Sequence, residues 1–144
     1  MENFANLLEL ADGLHSAAIH LLRQVRVEDR EEGIGPAQLS ALSVLVFGGS
    51  MTLGELAAIE QVKPPTMVRI VQSLAKQRLL RTSIDREDRR KRNLSATQRG
   101  RRLMMRARQR RVEALARRIR ALSHPEQQTL QGALKVLRRL QAVH

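Results

Sequence analysis

Two short stretches of this chain place hydrogen-bond donors where a polyanion could be read. The first is KPPTMVRIVQSLAK, residues 63–76. Pro64 and Pro65 suit the first turn of a helix, and helical spacing then divides the segment into two faces. Met67, Val68, Val71, Leu74 and Ala75 point one way, while Thr66, Arg69, Gln72 and Lys76 point the other. At ~1.5 Å per residue such a helix is roughly 20 Å long, enough to lie in a major groove with its N-terminal residues at the base edges. Thr66 and Arg69 are the expected base contacts, because a guanidinium pairs bidentately with guanine and a threonyl methyl meets that of thymine. Lys63, Gln72 and Lys76 are the expected phosphate contacts. The proline pair removes some of the free N–H groups that a helix N-terminus offers to phosphate.

The second stretch is Asp85-Arg86-Glu87-Asp88-Arg89-Arg90, a polar tip between two β-like runs at 80–84 and 93–95. It reads as a small hairpin. Arg89 is expected to enter a minor groove, where a narrow A·T-rich stretch concentrates negative potential, with Arg86 and Arg90 as its companions. Asp88 is expected to brace an arginine, since a carboxylate facing DNA would repel phosphate. A tip of solvated ion pairs is the bland alternative, and such pairs contribute little stability.

Charge supports a polyanionic partner. The net charge is +12, and residues 85–120 hold 15 Arg and Lys against four acids, a net +11. Leu, Met, Val and Ile interleave with these charges at helical spacing, so the block reads as a folded basic surface. With 144 residues, 42% of them apolar, the chain can bury one core. Having no Cys, it offers no disulfide, thiolate ligand or thiol sensor. Phe4 and Phe47 are the only aromatic residues, too few for a platform on which bases stack. No uncharged run suits a membrane span, and the acidic N-terminus lacks the basic start of a signal peptide, so the expected location is the cytoplasm.

Catalytic chemistry finds little support. His15 and His20 are five apart, about 140° around a helix, so they do not share a face as metal ligands four apart would. His124 and His144 stand alone, and neither a Gly-rich phosphate loop nor a nucleophile elbow is present. No enzyme activity, metal or cofactor is expected.

The elements that must position the two basic stretches are legible from periodicity and caps. Phe4, Leu7, Ala11, Leu14, Ala18, Leu21 and Val25 alternate steps of three and four, which predicts a long helix over 3–27 with a coiled-coil-like seam. The acidic stretch 28–35 ends it. Pro36 opens a second helix with Leu39, Leu42, Leu45 and Val46 inside, and Gly48-Gly49 stops it. Thr52 with Glu55 is a capping box for a short helix carrying Leu53, Leu56, Ala57 and Ile59. Thr97 caps a fifth helix running to about Leu122, on which Arg99, Arg102, Arg106, Arg110 and Arg117 form one basic face. Arg108, Arg111 and Arg118 lie nearer its apolar side, where they snorkel to solvent or pair with Glu2, Glu9 or Asp12 across a dimer. Ser123-His124-Pro125-Glu126 caps the last helix, striped by Leu130, Ala133, Leu134, Leu137 and Leu140.

Two helices joined by a tight turn and followed by a hairpin make a winged helix-turn-helix. The expected class is mainly α (α+β), with a two-stranded wing and long terminal dimerisation helices. One domain spans 1–144, with the DNA-binding region at 36–97 and dimerisation helices at 1–35 and 98–144. The apolar stripes of the terminal helices exceed what the small central motif can cover, which points to a homodimer. Its two-fold symmetry would present two recognition helices to a palindromic site, with half-sites about 34 Å apart.

The stretches Leu53-Gly54-Glu55-Leu56-Ala57, Pro64-Pro65-Thr66-Met67-Val68-Arg69, the tip at 85–90 and Ala96-Thr97-Gln98-Arg99-Gly100 together resemble the multiple antibiotic resistance regulators, the MarR family, over nearly the whole chain. Ala96 departs from the leucine usual in that family, which would loosen packing at the wing's root. The resemblance implies a transcription regulator, in the first instance a repressor. It also implies a crevice between the dimer helices and the winged motif that admits a small aromatic or anionic effector. Residue patterns do not define the lining of that crevice; His20, Arg23 and Met51 are trial positions at its lip. The rival reading is a basic RNA-binding or nucleoid-type protein that uses charge without reading sequence. The capping box placed just before Pro64-Pro65 favours the regulator.

Overall fold

The computed structural model describes residues 3–28 and 33–142. Its elements follow in the order α1 (Phe4–Arg26), α2 (Pro36–Gly48), β1 (Met51–Thr52), α3 (Leu53–Ile59), α4 (Pro64–Lys76), β2 (Leu80–Ile84), β3 (Arg92–Ala96), α5 (Gln98–Arg120) and α6 (His124–Ala142). The polypeptide 29–32, part of the predicted acidic break, lies outside the described residues, as do Glu2 and His144.

Local chemistry explains where these helices start. Thr52 Oγ1 accepts the Glu55 N–H at 3.2 Å while the Glu55 carboxylate accepts the Thr52 N–H at 2.8 Å, closing the predicted capping box. Thr97 Oγ1 accepts from Gly100 N at 3.1 Å, and the Glu126 carboxylate accepts from both the N–H and the hydroxyl of Ser123. These bonds hold the carboxyls of Glu55 and Glu126 below the ordinary glutamate range. The ends of α3 and α4 follow a rule the residue types conceal. Gln61 N–H bonds to Ala58 O and Val62 N–H to Ala57 O; likewise Arg78 bonds to Ala75 and Leu79 to Leu74. Both are Schellman closures, and the left-handed residue they require is Gln61 (φ 54°) or Arg78 (φ 59°) rather than glycine.

The sheet is three-stranded and antiparallel in the order β1-β3-β2. Leu80 pairs with Ala96 and Ile84 with Arg92, which sets the hairpin; β1 adds Met51 opposite Leu94 and Thr52 opposite Asn93. The two-stranded wing expected from sequence is therefore extended along β3 by a third strand of two residues. A strand so short has no period-two pattern to betray it, and Thr52 is already accounted for as a helix cap. Ala96, the departure from the family pattern, is buried opposite Leu80.

Leu42, Leu45, Leu56, Met67, Leu74, Leu79, Leu94 and Met104 form the closed centre of the core, contributed by α2, α3, α4, the turn after α4, the sheet and α5. Gly100 lies where α5 crosses this core. A Cβ there would stand 2.1 Å from the carbonyl oxygen of Leu79, the same oxygen that accepts the Thr97 N–H at 3.0 Å. The Thr97 hydroxyl also donates to Arg78 O at 2.7 Å, so α5 starts clamped to the end of α4 and the start of the wing. The terminal helices stand outside this core: α1 buries only Val25, and no described residue of α6 is buried. Arg118 donates to Gln24 Oε1 at 2.7 Å, tying α5 to α1 within one chain. Arg117 approaches Glu28 at 4.0 Å. On the basic face of α5, Arg99, Arg102, Arg106 and Arg117 are exposed and Arg110 is half-buried.

Candidate nucleic-acid interface

α4 is anchored by its apolar side and displays its polar one. Met67, Val71 and Leu74 are buried, whereas Lys63 at the N-cap, Pro64, Pro65, Thr66, Arg69, Gln72 and Lys76 are all exposed. Main-chain donors contribute little at its tip. Two of the first positions are proline, and the N–H groups of Thr66 and Met67 both turn onto Lys63 O, at 3.0 and 3.2 Å. An anion arriving here meets side chains, chiefly Lys63 and Arg69, instead of the N–H crown of a typical helix start.

The wing tip is held by a carboxylate, though not chiefly the expected one. Asp85 Oδ1 accepts the N–H groups of Glu87 at 2.7 Å and Asp88 at 3.0 Å, and Oδ2 accepts Asn93 Nδ2 at 2.9 Å. Those donors, the Asp88 N–H foremost and then those of Glu87 and Asn93, keep the Asp85 carboxyl below the usual aspartate range. Asp88 does brace an arginine, but through the main chain: its Oδ1 accepts the Arg90 N–H at 3.0 Å. Main-chain bonds from Asp85 to Lys91 and from Lys91 to Asp88 close the turn. Arg86, Arg89 and Arg90 project from it, exposed. Sequence reasoning missed Asp85 because either aspartate could serve. The hairpin register decides, by setting Asn93 opposite Ser83 and within reach of Asp85.

A groove of about 750 Å³ joins the two basic elements, with Gln72 of α4 on one bank and Arg90, Lys91 and Arg92 of the wing on the other. Val68, Val71 and Ala75 of α4 also line it, whereas Lys63, Pro64, Pro65, Thr66, Arg69 and Lys76 lie outside it. A second cavity, about 330 Å³, opens between α1, α2 and α5, with Arg23, Arg26, Arg111, Ser40 and Ser43 over a floor that includes Leu39. Of the three trial lip positions, only Arg23 lines it. His20 lies one turn earlier on α1 with its ring nitrogen 2.8 Å from Ser16 O, and Met51 sits in β1, half-buried against the core. The five polar side chains of the cavity come from three separate helices, and the Arg23–Arg26 spacing at the end of α1 was their only signal in the sequence. Among the described residues no group of three or more His, Asp or Glu is arranged to hold a metal, and no helix is long and apolar enough to cross a membrane.

An exposed polar helix face seated on a buried helix-turn-helix, beside an arginine-tipped hairpin, defines a winged helix-turn-helix DNA-binding protein. Comparison with known proteins narrows the class. Residues 32–91 match the profile of the MarR family. An HTH-type transcriptional regulator of Mycobacterium bovis is 35% identical over 128 residues, covering 89% of this chain and 90% of the relative. The fold is shared with a transcriptional regulator of Thermotoga maritima (TM-score 0.81, 24% identity, 92% of this chain and 94% of the other). It is also shared with a MepR variant of Staphylococcus aureus bound to an oligodeoxyribonucleotide (TM-score 0.70, 19% identity, 97% and 99%). This chain belongs to the MarR family and is a DNA-binding transcription regulator.

Proposed function

We propose that the protein is a repressor that binds a palindromic duplex operator as a homodimer and is released by a small anionic effector. In this reading Thr66 and Arg69 of α4 meet base edges in the major groove and Lys63, Gln72 and Lys76 meet phosphates. Pro64 and Pro65 set the approach of the helix tip, and Arg89, flanked by Arg86 and Arg90, enters the minor groove while Asp88 shapes the turn. The observation that carries the reading is the unburied apolar surface of the terminal helices. Phe4 is 70% exposed, Leu10 69% and Leu140 57%, with Leu7, Leu14, Leu21, Leu130 and Leu134 also open to solvent. Rows of this kind on a single chain support pairing with a second copy, and a two-fold axis turns one reading helix into two.

The α1–α2–α5 cavity supports the effector. Its volume is in the range of small-molecule sites, and its guanidinium and hydroxyl donors over an aliphatic floor match a small carboxylate with an apolar body. Selection from random duplex DNA, combined with sedimentation of the complex, tests the proposal. Enrichment of an inverted repeat bound by two chains is the expected result. Binding without enrichment would support a charge-driven nucleic-acid binder in its place.

A further inference from the structure

Gln38 makes two hydrogen bonds that join separate parts of the fold. It stands in the first turn of α2, where its Oε1 accepts the N–H of Gly35. Its Nε2 donates to Ser73 Oγ of α4, 2.9 Å away and 35 residues further along the chain. Gly35 lies between Ile34 and Pro36, both on the wall of the α1–α2–α5 cavity. Ser73 sits beside Leu74 on the flank of α4, and Gln77 Nε2 reaches its carbonyl at 3.4 Å. The amide of Gln38 thus spans from the cavity wall to the helix that faces DNA.

Such a bond has a task that apolar packing does poorly. Met67, Val71 and Leu74 set how far α4 lies from α2, but methyl groups tolerate small rotations of a helix about its axis, whereas a hydrogen bond loses strength steeply with angle. Side-chain tips lie about 5–6 Å from a helix axis, so a rotation of about 10° moves them by roughly 1 Å. A displacement of that size is enough to loosen a bidentate contact with a base, while a phosphate contact from a flexible lysine survives it.

We infer that Gln38 is a positioning residue for DNA reading: through Ser73 it fixes the rotation of α4, hence the aim of Thr66 and Arg69, and ties that rotation to the loop walling the α1–α2–α5 cavity. The inference rests on the proposed reading of α4. Its test compares operator and scrambled duplex affinities for Gln38→Leu, Gln38→Glu, Ser73→Ala and the double variant Gln38→Leu/Ser73→Ala, alongside melting temperatures.

Gln38→Leu lowers the operator-to-scrambled ratio about tenfold with scrambled-duplex affinity unchanged, and Ser73→Ala does the same. The double variant falls no further than Gln38→Leu alone, because both remove one link. Gln38→Glu keeps the ratio within about twofold of the unaltered protein, since one carboxylate oxygen accepts the Gly35 N–H and the other the Ser73 hydroxyl. Retention of the full ratio by Gln38→Leu, failure of Gln38→Glu to rescue it, additive losses, or an equal fall on both duplexes together with the melting temperature would each overturn the inference alone. An unaltered protein that enriches no sequence would overturn the proposed reading and the inference together.

Discussion

Arg69 and Arg89 are both exposed guanidiniums, and the proposed reading gives them different work. Arg69 projects from a rigid helix whose opposite face is buried, so its reach is defined; Arg89 sits on a hairpin tip among other cations. Arg69→Ala is expected to cost about 1–3 kcal/mol at the operator and little on random DNA, relaxing specificity. Arg89→Ala is expected to weaken both duplexes and to lower the salt slope by roughly one, because about one counterion fewer is released. Binding across a salt series checks both, and equal behaviour of the two variants would show that the roles are misassigned. Gly100 offers a test of structure instead of recognition. Its missing Cβ leaves room for the Leu79 carbonyl, so Gly100→Ala must push α5 off the wing root, at a cost of about 1–3 kcal/mol or more in denaturant unfolding.

At the level of elements, the wing tip is held chiefly by one carboxylate, that of Asp85. The Asp85 pKa is lowered in the folded hairpin, so its contribution to order is present above the unfolded value near ~3.9 and is lost as pH falls through the lower folded value. The tip should therefore hold from neutral pH down past the ordinary aspartate range and loosen only in stronger acid. Asp85→Ala should loosen it at every pH. Amide exchange at Glu87 and Asp88 reports this directly, and exchange that is unaffected by the substitution would exclude Asp85 as the brace. The turn between α3 and α4 carries a different cost. Gln61 occupies a left-handed conformation that glycine adopts without penalty, so Gln61→Gly should raise stability by about 0.5–1 kcal/mol while leaving DNA binding intact, as thermal unfolding would register.

For the whole molecule, the open leucine rows of α1 and α6 lead to an assembly prediction. A charge placed in such a row meets water in the single chain but would be buried in a dimer, where it lacks a partner. Leu10→Glu and Leu134→Glu should each leave the helical content unchanged, shift sedimentation from dimer to monomer and abolish operator affinity at low protein concentration. A dimer that persists in both variants would place the interface elsewhere.

How much of this could be read before the fold was known depends on how local each signal is. Helix starts at Pro36, Thr52, Pro64 and Thr97 were legible because caps and prolines act within one turn, and the polar face of α4 followed from a 3.6-residue period, although Val68 and Ala75, placed on its inner face by that period, are exposed along the groove toward the wing. The seam of α1 and the arginine tip were visible for the same reason. The third strand was not, since two residues carry no period, nor were the ends of α3 and α4, where Gln61 and Arg78 fill positions that glycine usually marks. Which aspartate braces the wing depended on hairpin register, and which arginines line the cavity depended on α1, α2 and α5 meeting in space. Residue types and their spacing by themselves determined the order of elements, the basic face and the winged class, because those are properties of contiguous segments. The brace at Asp85, the cavity and the Gln38–Ser73 link were decided only by tertiary structure, because each depends on distances between side chains that the chain brings together from positions far apart or in a register no local pattern encodes.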